Sequence, residues 1–367
     1  MSAGTHGGTR DDVLLVGSLP FADAEQVFRA AGPALRGHVA YLPDGETADR
    51  INWVGMLPVL VFSKHPDLQE TLSPPAEALE QPDRDAERPP VEDLEGIWNF
   101  RVKPGATLRF DDLQYGRFAV ESYPVFRQLR DEGVIEQGVR FQVCLPAPHS
   151  AIDGFFEDAS QWPEVYQAYL DGIRREIERM LDVIPADDLV IQWDVAWEFV
   201  DLAMGEKNFF RFWPKLTPEE KFQRHAEQLD GLWQGIPDET LLGFHWCYGT
   251  WGGWPMAAMT DLELCVRMSN EAKQRVGRRL DYVHMPVVRQ PDEAFFAPLD
   301  GLEVGDTKVY LGIVHHTDGI DDFRGRRDLA RRHLADFGIG SVCGYGRVEP
   351  ELLPEILRIH AEDAAEL

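Results

Sequence analysis

Leu241-Leu242-Gly243-Phe244-His245-Trp246-Cys247-Tyr248-Gly249 is a short apolar run that stops at a glycine and continues as Thr250-Trp251-Gly252-Gly253. Read as a β-strand, it alternates its side chains between two faces, so His245 and Cys247 share one face and Trp246 points to the other. An imidazole and a thiol then stand together at a strand end. Zn²⁺ accepts both, and Cys343 has a similar strand-then-glycine context in Gly340-Ser341-Val342-Cys343-Gly344-Tyr345-Gly346. His-x-Cys alone is a weak signal, because cysteine and histidine often sit in cores. The expectation is a zinc site assembled from separate strands.

The same pattern of apolar run, polar or glycine turn and amphipathic segment recurs along the chain. Eight runs begin near Val13, His38, Val139, Leu189, Leu241, Tyr282, Lys308 and Ser341. Continuous apolar runs suit parallel strands covered on both sides. Helical periodicity marks Ala22 to Leu35, Tyr166 to Leu181, Glu219 to Gln234, Asp261 to Val276 and Asp322 to Phe337, with a closing helix over Pro350 to Glu362. Eight such alternations are what a single (β/α)8 TIM barrel requires, here spanning residues 13–367. A doubly wound open sheet is the runner-up, but no Gly-x-Gly-x-x-Gly follows the first run.

The regular alternation breaks between the second and third runs. Residues 64–137 include an acidic, proline-rich stretch, Ser73 to Asp93, then an excursion around Phe100 to Tyr115 and a helix near Tyr123 to Glu132. We read this as a long insertion within the barrel, with a disordered linker between two domains as the other reading. Residues 1–12 are polar and glycine-rich and read as a disordered tail.

Composition narrows the partners. A formal charge of −27 over 367 residues repels phosphate backbones and anionic headgroups, so neither nucleic acid nor a membrane surface is expected. The chain shows neither a membrane-length apolar stretch nor a signal peptide at its start, and it reads as cytoplasmic. Four cysteines in so long a chain are thiols or ligands rather than a disulfide scaffold. The expected partner is a small-molecule substrate; oligomeric state is not legible.

In a barrel of this kind the active site lies at the carboxyl ends of the strands. There the sequence places Asp44 and Glu46, Asp194 and Glu198, His245 and Cys247, His284, then His315, His316 and Asp318, and finally Cys343 and Arg347. Any one of them has a structural explanation, such as a helix cap. So many strand ends offering acids, histidines or thiols point jointly to an active site. Of the tryptophans near this rim, Trp193, Trp197, Trp246, Trp251 and Trp254, some are core residues by default, and Trp251 and Trp254 suit either the core or a wall for an aromatic substrate.

These motifs, in this order, resemble the catalytic C-terminal barrel of cobalamin-independent methionine synthase and its short stand-alone relatives. Val16-Gly17-Ser18-Leu19-Pro20 is similar to the family's opening Gly-Ser-Phe-Pro, Asp44-Gly45-Glu46 to its His-Gly-Glu, and Ile191-Gln192-Trp193-Asp194 to its Gln-Ile-Asp-Glu-Pro. His245-Trp246-Cys247-Tyr248 resembles its His-Met-Cys-Tyr, Val314-His315 its Asp-Ile-His, and Cys343-Gly344 its last Cys-Gly. The resemblance implies that His245, Cys247 and Cys343 are zinc ligands, that Glu46 and Asp194 hold the amino group of an amino-acid thiol, and that His315 serves as acid or base. The family takes a fourth ligand, a glutamate, near the position of Pro286; here His284 is the candidate substitute, or the position stays open.

Two chemistries follow. In the first, zinc keeps a substrate thiol as thiolate and a methyl or other alkyl group is transferred to sulfur, with Arg347 or Arg289 pairing a carboxylate. In the second, zinc polarises an oxygen while His315 or Glu198 moves a proton, and a lignin-derived aromatic loses a one-carbon unit as formaldehyde. A non-catalytic binding barrel is the third class. Methionine synthesis from methyltetrahydrofolate is not expected, because the fourth carboxylate ligand and the paired N-terminal domain of long family members are missing from this sequence.

Overall fold

The structure, a computed structural model, describes residues 11–50, 53–74, 98–250 and 253–367. Most of the expected N-terminal tail, most of Ser73 to Asp93, and Trp251 lie outside the described residues. Eight parallel strands form one sheet: β1 (Val13–Leu14), β2 (Tyr41–Pro43), β5 (Arg140–Pro146), β6 (Leu189–Val195), β7 (Leu241–Trp246), β8 (Tyr282–Pro286), β9 (Lys308–Val314) and β10 (Gly338–Ser341). Their order runs from β1 through β10, β9, β8, β7, β6 and β5 to β2, so the first and second strands are the two ends of the ladder. Asp12 N and Val13 N both donate to the His38 carbonyl, at 3.0 and 2.9 Å, and Leu19 N donates to the Gly45 carbonyl at 2.8 Å. These bonds draw the two ends together into a nearly closed (β/α)8 barrel.

The intervening helices include α1 (Ala24–Ala34), α2 (Tyr115–Asp131), α4 (Trp162–Leu181), α6 (Pro218–Glu227), α7 (Glu263–Arg275), α9 (Ile320–Ala330) and α10 (Leu353–Ala365). Short helices α3 (Pro148–Ile152), α5 (Trp197–Ala203) and α8 (Glu293–Phe296) follow β5, β6 and β8. Within residues 64–137, β3 (Leu68–Leu72) pairs antiparallel with β4 (Asn99–Val102) as a separate two-stranded sheet. Helix α2 begins eight residues before the expected Tyr123 and packs against α1 and α4. Pro124 inside α2 removes one backbone donor and crowds the preceding turn, and the buried face from Tyr115 to Leu129 compensates.

Inside the barrel the alternation places polar side chains in layers. Tyr41 and Tyr282 stack at 5.1 Å, and Tyr41 Oη donates to Tyr310 Oη at 2.7 Å. Above them Gln192 Oε1 accepts from Tyr282 Oη at 3.0 Å and from Gln142 Nε2 at 3.2 Å. Such large rings fit only because neighbouring strands give way: a Cβ on Gly243 would stand 2.1 Å from the Tyr282 ring. Gly243→Ala is therefore expected to destabilise the fold by roughly 1–3 kcal/mol, as overpacked cores do. Thermal melts should show the loss and its partial rescue by Tyr282→Leu; an unchanged melting temperature in the single variant would refute this packing.

Candidate metal centre and cavity

His245 is the penultimate residue of β7, and Cys247, just past the strand, follows it on the same face, its amide donating to the Val195 carbonyl at 2.9 Å. Cys343 comes from the loop after β10. That loop is pinned to the end of β1, where Tyr345 N donates to Ser18 O at 2.6 Å and Gly346 N to Ser18 Oγ at 3.3 Å. Gly344 must be glycine for this approach, because a Cβ there would lie 2.4 Å from Ser18 Oγ and 2.8 Å from its amide nitrogen. The result is one cluster in which the ligand atoms of His245, Cys247 and Cys343 lie within 4.8 Å of one another.

The donor set fits zinc. The two sulfurs are 3.7 Å apart, far beyond a disulfide bond. Two thiolates bound tetrahedrally at about 2.3 Å would be separated by about 3.8 Å. His245 Nε2 is buried without a hydrogen-bond partner, the condition of a nitrogen waiting for a metal. Its other nitrogen, Nδ1, meets Nδ1 of His284 at 2.8 Å. Burial and the neighbouring His245 ring hold His284 well below the usual histidine range, so it remains neutral and can accept that bond. His284 therefore orients His245 and stands outside the cluster. The Cys343 thiol beside it and burial together push the Cys247 thiol well up, so metal uptake releases protons.

Facing this cluster are two buried acids. Gly45 and Glu46 form a tight turn with φ of +82° and +46°. A Cβ on Gly45 would meet Val27 at 2.6 Å. Asp44 braces the turn, accepting from Arg50 at 2.9 Å, Ser122 Oγ at 2.7 Å and the Glu46 amide at 3.1 Å. Asp194, on β6, accepts from Gln192 Nε2 at 2.7 Å. Burial pushes Glu46 up to about 8, and burial plus the Glu46 charge raise Asp194 well above its usual range. Cys144 joins them: one ligand atom each from Glu46, Cys144 and Asp194 lies within 4.8 Å of the others. It stays out of the His245–Cys247–Cys343 cluster, as does Cys265, which sits in α7 with its sulfur 4.0 Å from Tyr248 Oη.

These groups line a cavity of about 260 Å³. Its polar side holds Glu46, Asp194, His245, Cys247, Cys343 and Arg347, the last donating to the Thr250 carbonyl. Its apolar side is built by Trp98, Phe155, Trp197, Phe210 and Met256. The remaining expected residues lie elsewhere. Glu198 is fully buried, with both oxygens on Ser150, and does not reach the cavity. His315 Nε2 is 3.0 Å from the Val287 carbonyl and its ring is 6.3 Å from Trp254; neither side chain is in the lining. Arg289 is near Asp318 at 3.5 Å. Trp193 and Trp246 turn outward, donating to Leu232 O at 2.9 Å and Ser269 Oγ at 2.8 Å. Sequence reading missed Trp98, Phe155 and Phe210, and placed Trp197 near the rim without giving it a role there; only the position of Trp197, just past the end of β6, was a usable signal.

No family model matches the chain, and no curated protein sequence matches it. Its fold does have solved relatives. The chain is similar to a B12-independent methionine synthase from Shewanella sp. W3-18-1, solved in complex with selenomethionine, with a TM-score of 0.56, 11% identity, and 98% and 96% of the two chains covered. It is also similar to a methyltransferase from Methanosarcina mazei, with a TM-score of 0.50, 11% identity and the same coverages of 98% and 96%. At these identities the likeness establishes the barrel fold. Among the described residues no helix is long and apolar enough to cross a membrane.

Elemental analysis should find about one zinc per chain in the purified protein. Cys247→Ser and Cys343→Ser should each lose it while keeping the wild-type circular dichroism; full zinc retention in both would exclude the cluster as the metal centre. A second expectation concerns proton linkage in metal-free protein. A carboxyl raised from 4.5 to about 8 favours the folded state at low pH, and that contribution disappears as pH rises through this window. Denaturant titrations at pH 5 and pH 8 should therefore show Glu46→Gln losing less stability on alkalinisation than wild type; parallel losses would contradict the burial of this charge.

Proposed function

We propose that this protein is a zinc-dependent enzyme that transfers a methyl or other alkyl group to a substrate thiol. The observation that carries this reading is the partnerless His245 Nε2 beside two thiols 3.7 Å apart, all opening onto a cavity with two buried acids. His245, Cys247 and Cys343 would hold the metal, leaving a position open toward the cavity. When bound, zinc supplies the lowered thiol pKa that makes sulfur a nucleophile at neutral pH.

The chain's own residues do the rest. His284 fixes the ring of His245 through the Nδ1 contact at 2.8 Å. Glu46 and Asp194 receive the cationic part of a substrate, and their burial makes an unpaired charge there costly. The rings of Trp98, Phe155, Trp197 and Phe210 exclude water and pack the apolar part, which suits a small or aromatic compound. The likeness to a methionine synthase and a methyltransferase agrees with alkyl transfer. Methionine synthesis from a folate donor fits less well, since no carboxylate joins His245, Cys247 and Cys343 in the cluster among the described residues. Free thiols at all four cysteines suit a reducing, cytoplasmic setting.

Formaldehyde release from an aromatic compound is the competing chemistry. It needs a proton carrier at the cavity; Glu198 and His315 are not in its lining, so Glu46 or Asp194 would have to serve in their place. The two chemistries separate cleanly in one assay. Zinc-loaded protein given homocysteine and methyl iodide should consume the thiol faster than buffer does and yield the thioether, with Cys343→Ser at the buffer rate. Formaldehyde released from an aromatic substrate without any thiol present would overturn the transfer reading.

A further inference from the structure

Resting on the alkyl-transfer reading, we propose that the alkyl donor is a small onium compound, a sulfonium or quaternary ammonium, seated between the aromatic wall and the Glu46–Asp194 pair. Three observations converge on it. The first is the wall: Trp98, Phe155, Trp197 and Phe210 all line the cavity, and the Trp197 and Phe210 rings lie 5.4 Å apart, tilted at 55° to each other. Ring faces attract cations, and groups of them are the usual receptor for methylated onium heads, which cannot accept a hydrogen bond and carry no N–H to donate.

The second is the charge. Glu46 and Asp194 are 9% and 8% exposed, their carboxyls are within 4.8 Å of each other, and Glu46 Oε1 has no hydrogen-bond partner. Among the described lining residues Arg347 is the one guanidinium, and it is turned to the Thr250 carbonyl. Burial holds both carboxyls toward the protonated form, with the Arg50 charge acting on Glu46 in the other direction, so a bound cation is what would let the pair ionise in this dry site. The third is size. A volume of about 260 Å³ falls below the roughly 300–1,000 Å³ of drug-sized sites. The donor shares it with the acceptor thiol, so it has to be small.

The chemistry balances without an added acid. The acceptor thiol gives up its proton to solvent, and the thiolate pair forms the new S–C bond. The donor's C–S or C–N bond breaks with its pair going to the leaving atom, which departs as a neutral sulfide or amine. Cation and thiolate charges cancel. No proton has to reach the leaving group, so the distance of Glu198 and His315 from the cavity is no obstacle.

Two measurements test the proposal. Calorimetric titration of the purified protein compares trimethylammonioacetate with tert-butylacetate, which has the same shape and an uncharged head. The onium should bind about tenfold or more tighter. Glu46→Gln and Phe210→Leu, on different elements, should each shrink that ratio. Equal affinities in wild type, or a ratio that survives both variants, would overturn the proposal. In the second, zinc-loaded protein and homocysteine receive either trimethylammonioacetate, dimethylsulfonioacetate or methyl iodide. Turnover with an onium supports it. Thioether formed from methyl iodide alone defeats the onium donor and leaves alkyl transfer standing, while failure of all three defeats both.

Discussion

Charge-bearing groups taken out of water need a counter-charge, and the mouth of this barrel concentrates them. Two thiols, an imidazole nitrogen and two carboxyls converge on one cavity, and the Cys247 thiol and both carboxyls are costly to ionise where they stand. A divalent metal would relieve the thiols, and a cationic ligand the carboxyls. The site therefore has two poles with separate demands. The surrounding structure can be understood as the scaffold that keeps them apart yet facing: His284 behind one, Asp44 and Gln192 behind the other.

The scaffold extends outward from the cavity. The loop carrying Phe210 is tied down by Trp213, whose Nε1 donates to the Asp153 carbonyl at 2.8 Å. Asp153 is itself held by Arg224 at 2.7 Å and His149 at 3.1 Å, and the adjacent Asp201 by Lys221 at 2.6 Å and His225 at 2.8 Å. Two ion pairs, Arg224–Asp153 and Lys221–Asp201, thus sit with the two histidines between α3, α5 and α6. Paired charges of this kind set position more than they add stability. Here the position they set is that of the aromatic wall.

Much of this was legible in the sequence, and the reasons are local. A parallel strand buried on both faces must read as a continuous apolar run, so all eight barrel strands announced themselves, although the last one ends at Ser341, where the run appeared to begin. A period of two is enough by itself to put His245 and Cys247 on one face. What stayed hidden depends on rotations and loops. His284 shares the inward face in register with His245, and only the orientation of its ring makes it a hydrogen-bond partner rather than a member of the cluster. Glu198 sits four residues beyond Asp194, but the first turn of α5 swings it onto Ser150. Phe155 and Phe210 lie in connections between helices, where no periodicity marks the side that faces the cavity.

The pinning of the Cys343 loop onto Ser18 has a consequence for the order of assembly. Cys247 and Cys343 are 96 positions apart, and the second thiol reaches the first only when the last barrel strand has paired with the first. A chain still emerging from the ribosome can offer His245 and Cys247 but not the complete ligand set. The proposed ligand set would thus be complete only in a barrel whose first and last strands have paired, so a metal held there would report on finished topology.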